Sequence, residues 1–133
     1  GMGVGTVLLD PHALVWALSA PERLGDTART LIESPFTEVL VSAASAWELA
    51  TKTRVRKFRE AEPIVAQYLS VVQTLGATHL PVGPEHALRA GGLRWDHRDP
   101  FDRMLAAQAL LEHATLLSRD GVFAELGGLD VVW

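Results

Sequence analysis

The chain has 133 residues, the length of one ordinary domain, and its 48% hydrophobic and 21% charged residues are typical of a globular protein rather than a disordered one. It has no cysteine, which excludes disulfides and thiolate metal sites, and no apolar run approaches the roughly 18 residues of a membrane span. The formal net charge of −4, taken alone, argues against a broadly basic surface for nucleic acid.

The predicted elements alternate between strands and helices. In chain order they are a strand at 7–9, helices at 12–20 and 24–34, a strand at 38–41, a helix from an N-cap at residue 42 to 54, a helix at 62–75, a strand at 78–82, helices at 84–91 and 99–113, a strand at 115–118, a helical turn at 122–126 and a strand at 129–133. This alternation predicts an α/β sandwich with a mostly parallel sheet of about five strands.

We expect a single domain over residues 1–133. Gly1 before Met2 suggests that residues 1–3 are a tag remnant or a disordered terminus, and we see no signal peptide in the uncharged start of the chain. Together with the absence of cysteine, this predicts a protein of the cytoplasm.

Acidic residues follow the predicted strands at several points. Asp10 comes directly after the first strand, Asp120 follows the fourth, Glu48 lies in the helix after the second, and Asp99 and Asp102 begin the long helix. Ligands in parallel α/β folds bind at the carboxyl ends of the strands, so we expect these acids at one edge of the sheet. Crowded carboxylates resist ionisation unless a cation bridges them, and hard oxygen ligands favour Mg²⁺ or Mn²⁺.

Each acid also has a purely structural interpretation. Asp10 can cap the first helix, and Asp99, which precedes a proline, is a good cap for the long helix. Glu48 can be a solvated helix residue, and Asp120 before a glycine can belong to an ordinary turn. The joint pattern is more specific than any single member of it.

Four segments of the chain resemble a known family. They are LLDPHALVW at 8–16, VSAASAWE at 41–48, HRDPFDR at 97–103 with AAQA at 106–109, and LSRD at 117–120. In order and spacing they resemble the PIN-domain toxins of the VapC type, and the resemblance covers essentially the whole chain. It implies a three-layer α/β/α sandwich and a ribonuclease that uses Mg²⁺ or Mn²⁺. It also implies a homodimer, an RNA substrate and a cognate VapB-type antitoxin, as in a bacterial type II toxin–antitoxin pair.

The resemblance assigns roles to individual acids. Asp10, Glu48, Asp102 and Asp120 correspond to the family's acidic quartet, as catalytic residues and metal ligands. Asp102 matches because it precedes the helical Leu-Ala-Ala-Gln-Ala run, which leaves Asp99 as the helix cap or an auxiliary acid.

Pro11 departs from the family pattern, because the residue after the first Asp is usually Thr or Ser. Proline removes both a hydroxyl and a backbone N–H donor at this point. We therefore keep open a non-catalytic RNA- or partner-binding module whose site has decayed. A receiver-like phosphotransfer domain is a weaker alternative, since it needs paired acids before the first helix and a lysine where this chain has Arg119.

Candidate RNA contacts come from two basic groups of residues. They are Arg54, Arg56 and Lys57 in the stretch after Glu48, and Arg98 and Arg103 beside the acids of the long helix. The first group can equally be a solvated helix end that complements the helix dipole, and the second can buffer the crowded carboxylates.

Histidines and aromatic residues near the acids have a simpler explanation. We interpret His12 and His97 as structural, and we place Trp16, Trp47 and Phe101 in the core or at an interface.

Overall fold

The structure is a computed structural model that describes residues 5–133. The prediction for residues 1–3 lies outside the described residues. The elements in chain order are β1 (Gly5–Leu9), α1 (Pro11–Ser19), α2 (Asp26–Glu33), β2 (Thr37–Ser42), α3 (Ala43–Arg54), α4 (Glu62–Ala66), α5 (Tyr68–Leu75), β3 (Thr78–Leu80), α6 (Pro84–Gly92), α7 (Pro100–Leu111), β4 (Thr115–Leu117) and β5 (Val131–Val132). Short 3₁₀ turns occur at Pro21–Arg23, Arg59–Ala61 and Gly121–Glu125.

The five strands form one sheet in the order β3-β2-β1-β4-β5, and all of its pairings are parallel. The central strand β1 is apolar because both of its faces are covered. Val7 and Leu9 pack into a cluster with the residues of α1, whereas Leu8 packs on the opposite face against Leu105 of α7. The predicted α/β/α sandwich with a five-stranded sheet is therefore confirmed.

One predicted helix is divided in the structure. The expected helix at 62–75 breaks at Gln67, whose φ of −132° and ψ of 37° lie outside the helical region. Ile64 of α4 and Val72 of α5 are both buried in the same cluster. Neither proline nor glycine lies at the break, so the sequence carries no local signal for it.

Trp133, which follows β5, packs on the α1 side of the fold. The Ala28 N–H donates to the Trp133 carbonyl oxygen at 2.8 Å, which ties Trp133 to the first turn of α2. Gly25 lets the two segments approach, because a Cβ atom there would overlap with the Trp133 backbone. The Trp133 ring meets the Trp16 ring edge-on at 5.8 Å and so fixes a buried tryptophan of α1.

Within residues 5–133, no helix is both long and apolar enough to cross a membrane.

Candidate active site

A cavity of about 410 Å³ lies where the end of β1, α3, the start of α7 and the segment after β4 meet. The residues that line it are Asp10, Pro11, His12, Glu48, Lys52, Asp99, Asp102, Arg119, Asp120, Gly121 and Phe123. The structure thus brings the four predicted quartet acids and Asp99 together around one cavity, at the edge where the parallel strands end. Their catalytic and metal-binding roles stay predictions.

Asp10 is both a helix cap and a cavity residue. Its Oδ1 accepts a hydrogen bond from the Ala13 N–H at 2.7 Å, and its own N–H donates to the Leu117 carbonyl at 3.1 Å. Asp10 is 7% exposed, and this burial raises its pKa, while hydrogen bonds from the Ser118 hydroxyl and the Ala13 amide oppose the rise. The two interpretations of Asp10 are therefore compatible, since capping uses one carboxylate oxygen.

Glu48 is buried on α3 with only one of its two oxygens paired. Its Oε2 lies 2.6 Å from the Nζ of Lys52, one helical turn further on. Its Oε1 is buried and has no hydrogen-bond partner among the described residues. Leaving such an oxygen unpaired is costly in a folded protein, so Oε1 indicates a place for a further ligand.

Asp99 and Asp102 occupy the first turn of α7. Asp99 is the N-cap, with its Oδ1 accepting from the N–H groups of Phe101 at 2.8 Å and of Asp102 at 3.2 Å. Burial raises the pKa of Asp102 to about 6, the negative charges of Asp99 and Glu48 add to the rise, and the hydrogen bond with His97 opposes it. Capping by Asp99 is thus observed, while its auxiliary role stays a prediction.

His97 contacts an acid of the predicted quartet, which the sequence analysis missed. Its Nε2 lies 2.7 Å from Oδ2 of Asp102. One ligand atom from each of His97, Asp99 and Asp102 lies within 4.8 Å of the others, a spacing that could hold a metal ion. The histidine precedes α7 in an irregular segment, so no helical periodicity could have placed it on Asp102.

Asp120 is exposed at the mouth of the cavity. Its Oδ1 accepts from the Val122 N–H at 3.0 Å, and its N–H donates to the Ser118 hydroxyl at 3.1 Å. The expected turn and the expected cavity position therefore occur in the same residue.

The predicted RNA contacts lie outside the cavity. Arg54, Arg56 and Lys57 are exposed at and beyond the end of α3, and Arg98 lines a separate depression. Arg103 faces that depression too, but its guanidinium is fully engaged. Its donors bond the carbonyl oxygens of Ala90, Gly91, Leu93, Trp95 and His97 at 2.7–3.4 Å, which accounts for all five N–H groups of an arginine.

Two other cations line the cavity, Lys52 and Arg119. Lys52 could have been recognised from its i,i+4 spacing to Glu48, which places both residues on one helix face. Arg119 carried no comparable signal beyond being next to Asp120.

Histidine and aromatic positions largely follow their structural interpretation. His12 stacks on Phe58 with ring centroids 4.7 Å apart, and burial is the main reason that its pKa is lowered. Trp16 is 2% exposed and belongs to the core. Trp47 is 67% exposed and meets Phe101 edge-on at 5.0 Å, which places it on the surface.

The residues of the cavity fit a divalent cation. Carboxylates from the end of β1, from α3, from the first turn of α7 and from the segment after β4 line the cavity. Among the described residues, His97, Asp99 and Asp102 form the group whose ligand atoms lie within 4.8 Å of one another. The unpaired Oε1 of Glu48 is an available hard oxygen ligand. Burial raises the pKa values of Asp10 and Asp102, because it disfavours their charged forms when no cation compensates them.

The fold is an α/β/α sandwich, and acidic side chains line a cavity at the carboxyl edge of its parallel sheet. The family model described as PIN domain matches residues 7–129, and the chain therefore belongs to the PIN-domain family, a family of nucleases. The predicted family is thus confirmed. Among curated proteins, no match to the chain was found.

Solved structures are similar to this chain over nearly its whole length. One is VapBC2 from Rickettsia felis bound to a DNA fragment from their promoter, with a TM-score of 0.66 and 17% identity over 96% of this chain and 97% of that one. Another is a toxin–antitoxin complex from Klebsiella pneumoniae, with a TM-score of 0.63 and 20% identity over 96% of each chain. At these identities the likeness shows the shared fold.

Proposed function

We propose that the chain is a metal-dependent endoribonuclease and the toxin of a bacterial toxin–antitoxin pair. The observation that carries the proposal is the convergence of Asp10, Glu48, Asp102 and Asp120 from separate segments on one cavity, with Oε1 of Glu48 unpaired. Membership of a nuclease family supports the reaction class. The similarity to chains from toxin–antitoxin complexes supports the biological role.

The four acids have distinct tasks in this proposal. Asp10, Glu48 and Asp102 hold Mg²⁺ or Mn²⁺, and Asp120 binds it directly or through water. When bound, the cation supplies Lewis-acid activation of water and of the phosphodiester. The cap bond to Ala13 and the ion pair with Lys52 fix two of these carboxylates before substrate arrives. In this proposal Asp120, which lines the cavity and is exposed, accepts the proton of the attacking water. The product carries a 5′-phosphate, as the resemblance implies.

The test is cleavage of total RNA by the purified chain, with mapping of the new 5′ ends. We expect cleavage with Mg²⁺ or Mn²⁺ and none with EDTA. Loss of a residue that only supports a metal ligand lowers activity by roughly 10–100-fold. Asp10→Asn and Asp102→Asn should each lower the rate of RNA cleavage by more than this. Asp96→Asn is the matched control, since Asp96 is exposed and outside the cavity. Undiminished cleavage by either cavity variant would contradict the assignment.

A catalytically weakened RNA- or antitoxin-binding module is the second candidate. Pro11 favours it, because this residue lines the cavity where relatives usually offer a hydroxyl. The two candidates differ in metal affinity. A nuclease should gain thermal stability with Mg²⁺ or Mn²⁺, through Asp10 and Asp102, whereas a decayed site should show little change.

Partners follow from the same proposal. We propose that the chain binds a cognate VapB-type antitoxin, because one of the similar structures is VapBC2 and the other is a toxin–antitoxin complex. We also propose that it forms a homodimer through the apolar groove lined by Trp47, Val82 and Phe101. A cytoplasmic location belongs to this proposal because the RNA substrate is found there.

A further inference from the structure

The two cations of the cavity are held in different ways. The Lys52 ammonium is paired with the buried Glu48 carboxylate at 2.6 Å, so its positive charge is largely neutralised by that group. Arg119 forms no ion pair or side-chain hydrogen bond with any residue in 5–133, although it lines the same cavity and is exposed. Its donors are therefore available to a ligand.

Arg119 is nevertheless held in position. Its guanidinium carbon lies 4.8 Å from the centroid of the Trp16 ring. Trp16 is 2% exposed, and it is fixed in turn by the edge contact with Trp133 and by Arg23, whose guanidinium carbon lies 4.4 Å from the same ring. Cation–π attraction uses the aromatic face and leaves the planar N–H fork free for a bidentate acceptor.

The charge balance of the cavity calls for such a group. Five carboxylates line it, and they repel an approaching phosphate. The acids that bind a metal are compensated by it, but the exposed mouth beside Asp120 needs a separate positive group to admit an anion. Among the described residues that line the cavity, Arg119, next to Asp120 in the chain, is a cation with no ion pair, whereas Lys52 is paired with Glu48.

We propose that Arg119 binds a phosphate group of the nucleic-acid strand at the mouth of the cavity. The inference rests on the proposed ribonuclease function and names a substrate-binding residue for it. Arg103, which the sequence analysis named as a candidate RNA contact, is excluded by its five carbonyl contacts.

The test compares Arg119→Gln and Arg119→Lys with Arg23→Gln in the full chain. Arg23 is the matched control, because it stacks on the same tryptophan but does not line the cavity. With saturating Mg²⁺, Arg119→Gln should raise KM for RNA about ten- to hundredfold, the effect of losing a charge-assisted hydrogen-bonded contact, with kcat nearly unchanged. Arg119→Lys should raise KM less, because it keeps the charge and loses the fork.

The salt dependence of binding separates a phosphate contact from a packing effect. Binding of a short single-stranded RNA is followed by fluorescence anisotropy across salt concentrations. The slope of log K against log salt should be smaller by about 0.7 in Arg119→Gln, as loss of one phosphate contact predicts. Arg119→Lys and Arg23→Gln should keep the wild-type slope.

The outcomes distinguish this inference from the proposed function. If the wild type cleaves RNA while Arg119→Gln keeps its KM and salt slope, or if Arg23→Gln gives the same losses, the inference is overturned and the nuclease stands. If the wild type cleaves no RNA with either metal but Arg119→Gln lowers the salt slope, the nuclease fails and the phosphate site stands. Absence of RNA binding by the wild type overturns both.

Discussion

The buried position of Asp102 disfavours its charged carboxylate whenever no cation is bound. Its pKa is raised from 3.8 to about 6, chiefly because burial disfavours the charged carboxylate. Between these two values the folded chain binds more protons at this group than the unfolded chain does. Stability contributed by Asp102 is therefore present below about pH 4 and is lost as the pH rises through 6.

This sign leads to a prediction for Asp102→Asn. In EDTA at pH 8 the variant should have a higher free energy of unfolding than the wild type, by roughly 1–3 kcal/mol, because asparagine removes the buried charge. The difference should shrink as the pH falls towards 4. Urea unfolding at several pH values measures both effects.

Two further measurements make this prediction sharp. The control Asp96→Asn changes an exposed carboxylate and should leave the stability nearly unchanged at every pH. Addition of Mg²⁺ should stabilise the wild type more than Asp102→Asn, since the variant lacks one proposed ligand. A metal-free Asp102→Asn that is less stable than the wild type at pH 8 would show that the ionised carboxylate is compensated within the protein itself.

At the scale of elements, α7 depends on the segment that leads into it. Residues 93–99 have no regular secondary structure, yet they bring His97 into contact with Asp102 and place the cap Asp99 at the cavity. Arg103 holds this segment from inside the helix through five carbonyl contacts that reach back to α6. One side chain thus replaces the backbone hydrogen bonds that a strand or helix would supply.

We predict that Arg103→Lys loosens this segment. A lysine ammonium has three donors on a flexible stem, so it cannot serve five carbonyls arranged around a planar guanidinium. The free energy of unfolding should fall by about 2 kcal/mol, because several partly buried acceptors lose a charged donor. Amide hydrogen exchange should accelerate at residues 91–98, and RNA cleavage should weaken as His97 and Asp99 lose their support.

The neighbouring Arg98→Lys is the control for Arg103→Lys. Arg98 is exposed and forms none of these carbonyl bonds, so its variant should keep the wild-type exchange rates and stability. Equal protection of residues 91–98 in both variants would mean that backbone geometry alone holds the segment in place.

Local signals decided what could be predicted from the sequence. The apolar run before Asp10 and the Asp-Pro start of α7 have short-range causes, and both elements occur as expected. The break at Gln67 has no such local signal, and Ile64 and Val72 on either side of it are buried in the same cluster. Helix ends also differ from the prediction, since α7 ends at Leu111 rather than at residue 113.

The site was predictable in its acids and not in its cations. Strand ends place carboxylates at one edge of a parallel sheet, which is a topological rule that a sequence can invoke. Arg103 and Arg119 each lie one residue from an acid of the predicted quartet, and nothing in that spacing separates them. Only the fold shows that one is engaged by carbonyl oxygens while the other lies over a tryptophan ring.

At the scale of the whole molecule, one apolar surface is unexplained by the core. A groove of about 360 Å³ is lined by Trp47, Val82, Phe101 and Met104, together with the small residues at the start of α3 and the proline that begins α7. Trp47 and Phe101 each precede a cavity acid by one residue, so a partner seated in the groove would lie beside the candidate active site. Contiguous exposed apolar patches of this kind mark interaction surfaces more often than isolated residues do.

We predict that a second copy of the chain covers this groove and that Trp47→Asp abolishes the association. Trp47 is 67% exposed in the single chain, so its replacement removes little packing within one copy and should leave the fold intact, whereas a buried aspartate at an interface is strongly unfavourable. Leu88→Asp is the matched control, because Leu88 is 77% exposed and lies outside the groove.

Sedimentation equilibrium should give a dimer for the wild type and for Leu88→Asp, and a monomer for Trp47→Asp. The circular dichroism spectrum of Trp47→Asp should match that of the wild type. A monomeric wild type, or a dimeric Trp47→Asp, would contradict the prediction that a second copy covers the groove.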